Sequence, residues 1–121
     1  MVLATANKEK RLLHLSYIGR VQAEEVVRGR ADVAALVNDW PDGFRVLADF
    51  GRLESLDVAT MTELGRMMDM SSQRAVTLVV RVMPDPTKDL GLNILGLFHY
   101  KNPVQVVTCA TMEEAARALG I

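Results

Sequence analysis

The stretch LADFGRLESLDVATMTEL, Leu47 to Leu64, runs from the end of a buried strand through a short loop into the opening of a helix. The apolar run FRVLADF (Phe44–Phe50) carries the strand signal. Met61, Leu64 and Met68 then recur on one helical face from about Val58 to Ser71. Asp57 is well placed as the N-cap, and Thr60 with Glu63 offers an alternative capping box. The same strand-then-helix order continues on both sides of this junction.

Upstream, VLATA and RLLHLSYIG (Arg11–Gly19) pair as a hairpin through the polar turn NKEK. Gln22 to Trp40 follows with Val26, Val33, Val37 and Trp40 at helical spacing, and WPDG stops it. Downstream, AVTLVVRV (Ala75–Val82) is β-branched and almost continuously apolar, as suits a strand covered on both faces. Asp85 and Pro86 open a third helix that runs to about Phe98, and PVQVVTC (Pro103–Cys109) is the last strand. In TMEEAARALGI, Thr111 and Glu114 have capping-box spacing, Met112, Ala115, Ala116 and Leu119 form an apolar stripe, and Gly120 ends the helix. Strand and helix alternate four times, which predicts one α/β domain, residues 1–121, built on a single-layer mixed sheet of four to five strands.

The chain has 121 residues, enough for one core without a disulfide or metal staple. Fourteen basic residues face fifteen acidic ones, so the basic excess of a phosphate-binding surface is missing and nucleic acid is not expected as a partner. Cys109 is the only cysteine, which suits a reducing compartment. No apolar run approaches the roughly 20 residues of a membrane span, and MVLATANKEK lacks a signal-peptide core. A cytoplasmic location is expected.

Catalytic equipment is sparse. His14 lies among leucines in a strand, and His99 follows the third helix with no nucleophile motif nearby. Cys109 ends an apolar strand, where cysteine behaves as a small hydrophobe. These three residues match no zinc spacing, so neither metal nor cofactor is expected, nor an enzyme. Glu24–Glu25 and Glu113–Glu114 belong to first helical turns, where negative charge suits the dipole. Asp49 ends a strand, the position near which α/β proteins bind ligands, although aspartate there also forms turns. Gly91 and Gly96 make no phosphate loop and read as points of close backbone packing.

The element order, with FRVLADFGRLESLDVATMTELG, RVLADFGRLESLD and TMEEAARAL, resembles the STAS superfamily (sulfate transporter and anti-sigma-factor antagonist). Within it, the chain is most similar to the sporulation-antagonist-like branch of small stand-alone proteins. The resemblance implies a non-enzymatic regulatory module with a protein partner. Antagonists of this superfamily carry Asp-Ser-Ser-Gly at the start of the second helix, and a kinase phosphorylates the second serine. Here Asp57 matches the aspartate, Val58 and Ala59 fall at the serines, and Thr60 replaces the glycine. Alanine has no hydroxyl, so a phosphoswitch would have to use Ser55 or Thr60. The same branch looks related to lipid-transfer domains, which implies a small apolar ligand as an alternative.

The second and third helices carry more apolar surface than one sheet face needs. Met67 and Met70 join Met61 and Met68, while Leu90, Leu92, Ile94, Leu95, Leu97 and Phe98 make the third helix apolar nearly all round. This predicts a surface for a partner, a ligand or a second copy, a homodimer being expected. The expected binding residues are Asp49, Ser55, Asp57, Thr60, Met61, Met67, Met68, Leu92 and Leu95.

Overall fold

A computed structural model describes residues 1–121. Two strands open the chain, β1 (Val2–Asn7) and β2 (Leu12–Val21), followed by α1 (Ala23–Leu36). Next come β3 (Arg45–Leu56), α2 (Val58–Gln73), β4 (Leu78–Val82), α3 (Pro86–His99), β5 (Gln105–Cys109) and α4 (Met112–Leu119). The five strands form one sheet in sequence order. β1 and β2 are antiparallel, as a tight polar turn dictates, and β2 to β5 run parallel because a helix connects or overlies each step.

Period-two alternation splits the core between the two sheet faces. On one face Leu13, Leu15 and Tyr17 of β2, Val46 and Phe50 of β3, and Val79 of β4 meet α1, α2 and α3. On the other, Leu47, Val80, Val82 and Cys109 meet Ala115 and Leu119 of α4. β4 is thus covered on both sides, as its apolar run predicts. The Tyr17 and Phe50 rings stack at 4.5 Å between centroids, tying neighbouring strands together at this level.

The boundaries of α1, β3 and β4 differ most from the sequence reading. α1 ends at Leu36, yet Val37 and Trp40 stay buried in the turn beyond it. Arg74, just past α2, holds that turn: Nη1 donates to the Val37 carbonyl at 3.1 Å and Nη2 to the Trp40 carbonyl at 2.6 Å. β3 continues to Leu56 with no intervening loop, because β2 also continues and pairs with it as far as Val21 and Leu56. β4 starts at Leu78 instead of Ala75, whose φ of 53° breaks the extended chain. No helix is long and apolar enough to cross a membrane.

Candidate functional site

β3 delivers the chain straight into the α2 N-terminus. Asp57 Oδ1 accepts from the Thr60 backbone N–H at 2.8 Å and lies 2.8 Å from Thr60 Oγ1. These bonds, the backbone one foremost, hold the Asp57 carboxyl below the usual aspartate range. Thr60 itself is fully buried, and its hydroxyl also reaches the Val21 carbonyl at 3.0 Å, bolting α2 to the end of β2. Glu63 forms ion pairs with Arg30 at 2.8 Å and Arg66 at 2.9 Å, and takes no part in capping. Ser55 and Ala59 are exposed. Of the two hydroxyls expected to accept a phosphate, only Ser55 stands in the open.

Asp49 Oδ1 accepts from the Gly51 N–H at 2.8 Å, where the β2–β3 register shifts. It acts there as a local backbone partner within an irregular strand. His14 Nε2 lies 3.2 Å from Ser16 Oγ, and His99 Nδ1 lies 2.8 Å from Asp69 Oδ1. Burial pushes the Cys109 thiol pKa up, away from a reactive thiolate. No cluster of His, Cys, Asp and Glu side chains is arranged to hold a metal ion.

The apolar surplus resolves differently from its sequence expectation. Met67, Met68 and Leu92, expected on a presented surface, are core residues between the sheet and the two helices. Met61 and Leu95 are half-buried at the edge of that core. A continuous exposed strip lies instead on the opposite side of α3. Leu90 and Ile94 are exposed, Leu97 is 82% exposed and Phe98 71% exposed. Their i, i+4, i+7, i+8 spacing lines them along one strip. Of all α3 residues only Leu92 is fully buried, so the helix lies on the molecule by a narrow contact. Gly96 packs its backbone against the Tyr100 ring, as expected, whereas Gly91 faces open space.

A second feature escaped the sequence reading. Arg81, in the middle of the apolar strand β4, is 2% exposed and sits on the helix-covered face. Its Nη1 donates to Asp89 Oδ1 at 3.0 Å and to Asn93 Oδ1 at 2.8 Å, both on α3. Thr108 of β5 donates to the same Asp89 oxygen at 3.0 Å. The signal available was one arginine interrupting LVVRV, a strand otherwise suited to full burial.

No protein-family model matches the sequence, and comparison with curated proteins finds no relative. Solved structures do match. The anti-sigma-factor antagonist SpoIIAA in its unphosphorylated form aligns over the whole of both chains, with a TM-score of 0.69 and 17% identity. An uncharacterised DUF3478-family protein with a SpoIIAA-like fold from Shewanella loihica gives a TM-score of 0.73 at 10% identity, over 98% of this chain and 92% of that one. An anti-sigma-factor antagonist from Mycobacterium paratuberculosis gives 0.61 at 16% identity, over 100% of this chain and 94% of that one. Five strands, four helices and this end-to-end agreement give the chain a SpoIIAA-like fold.

Proposed function

We propose that the protein is a non-enzymatic regulatory module that works by protein association through the outer strip of α3. The observation that carries this reading is the set of four large apolar side chains, Leu90, Ile94, Leu97 and Phe98, held in water on a helix whose one fully buried residue is Leu92. Burying a side chain of this size contributes about 1.5–3 kcal/mol, so leaving four exposed on one strip is accounted for by an interface. Several solved proteins of this fold are antagonists of anti-sigma factors, a role defined by contact with another protein. A second copy of this chain is the proposed occupant, since two-fold pairing lets one strip bury itself against its equivalent.

The test is the double variant Leu97→Asp, Phe98→Asp. Sedimentation velocity should show the wild type associating and the variant not, with cooperative unfolding retained in both. A variant that sediments like the wild type, or that loses its fold, contradicts the proposal.

A further inference from the structure

Arg81 offers more hydrogen bonds than the chain uses. Both of its contacts, to Asp89 and Asn93, come from Nη1, which leaves Nε and Nη2 without a partner in the chain. The hydroxyls of Tyr17 and Tyr100 have none either, and Tyr17 is 2% exposed. No side-chain nitrogen or oxygen that is sealed off lacks a partner, so each of these atoms keeps some accessible surface.

Two adjoining voids meet them. An inner one of about 40 Å³ is lined by Tyr17, Phe50, Met68, Arg81, Leu92 and Tyr100, among others. An outer groove of about 280 Å³, open to solvent, runs between α3 and β5 over Leu97, Val104 and Val106, with Asn93 and Asn102 at its rim. Arg81, Leu92 and Tyr100 line both, so the guanidinium stands at their junction. Both tyrosines line the inner void, and burial raises the pKa of each. They remain neutral donors at any physiological pH.

A guanidinium edge and two phenols without a partner in the chain, all in the lining of the inner void, can take an acceptor there. The planar Nε–Nη2 edge matches a carboxylate, which it binds by two parallel bonds. The inner void is too small for a chain of carbons, whereas the outer groove has an apolar floor and lies close to the lower size range of ligand sites, roughly 300 Å³. We infer that this junction binds a small amphipathic monocarboxylate, its head on Arg81, Tyr17 and Tyr100 and its chain along Val104 and Val106. Asp89 stays paired with Nη1 on the solvent side and balances the arginine while the head is absent.

The probes are octanoate and, lacking the charge, 1-octanol, added to the full chain and followed by titration calorimetry and by resonances of Tyr17, Arg81 and Tyr100. Octanoate should bind saturably and about tenfold more tightly than octanol, the value of a charge-assisted pair. Arg81→Lys keeps the charge opposite Asp89 and removes the planar edge; it should weaken octanoate about tenfold. Tyr100→Phe, which preserves shape, should weaken it about fivefold. Failure of octanoate to saturate on the wild type means that the donors hold water only and overturns the inference. Equal affinity for acid and alcohol, or unchanged affinity in Tyr100→Phe, overturns it too. Leu97 borders both the groove and the proposed interface, so the titrations are run at a chain concentration low enough to hold it monomeric, and octanoate binding is read apart from association.

Discussion

The His99 imidazole fills the space that Gly65 leaves open, and its Nδ1 lies 2.8 Å from Asp69 Oδ1. A Cβ on Gly65 would collide with the ring. This contact fixes the distance between α2 and α3, because Gly65 and Asp69 lie on one helix and His99 ends the other. Everything outward of it, including the apolar strip, is positioned by this close approach. Gly65→Ala should therefore destabilise by about 1–2 kcal/mol, overpacking outweighing the roughly 1 kcal/mol that alanine adds to a helix. Urea unfolding measures it, and His99→Ala in the same chain should restore most of the loss. A neutral or stabilising Gly65→Ala would show that α3 does not sit this close.

Asp57 makes the α2 cap dependent on pH. Its folded-state pKa lies below the unfolded value because the ionised form accepts from Thr60. Its contribution is therefore complete above the unfolded aspartate pKa of about 3.9 and is lost as pH falls through the lower folded value. Asp57→Asn keeps an acceptor at the cap and removes the charge. Thermal melts should show the wild type more stable than the variant at pH 7, with the gap closing below about pH 4. A gap that stays constant to the lowest pH would mean that the carboxylate adds nothing beyond its shape.

Arg81 is held in the core by its counter-charge. Asp89→Asn leaves the guanidinium buried without an anion and should destabilise the fold by about 3 kcal/mol. The double variant Arg81→Met, Asp89→Leu removes both charges and should lose less than the single one. Denaturant midpoints decide between them. A single variant as stable as the wild type would show that the ion pair contributes nothing net.

The fold was legible because local signals agreed with one another. Asp57, Asp85 and Thr111 are all N-caps with the side-chain bonds their positions predict, and Gly120 takes the left-handed conformation, φ 72°, that ends α4. One detail moved: Glu114 accepts from the Ala110 N–H at 2.9 Å, one residue before the position a reciprocal capping box would use. Helix orientation was less legible. In α3 apolar residues occupy nearly every face, so periodicity could not tell Leu92, which is buried, from Leu97, which is exposed. The same ambiguity put Met67 and Met68 on the surface in the sequence reading, whereas α2 turns them into the core. The role of Arg81 was hidden for another reason: its partners Asp89 and Asn93, and the Thr108 hydroxyl that shares Asp89, come from other elements, and only the folded sheet assembles them.

The most direct measurement is the solution mass of the wild-type chain by light scattering over a range of concentrations. Association through α3 predicts that the mass climbs with concentration from 13.4 kDa toward twice that value and levels there. A mass that stays at 13.4 kDa at the highest concentration would contradict the proposed role of Leu90, Ile94, Leu97 and Phe98.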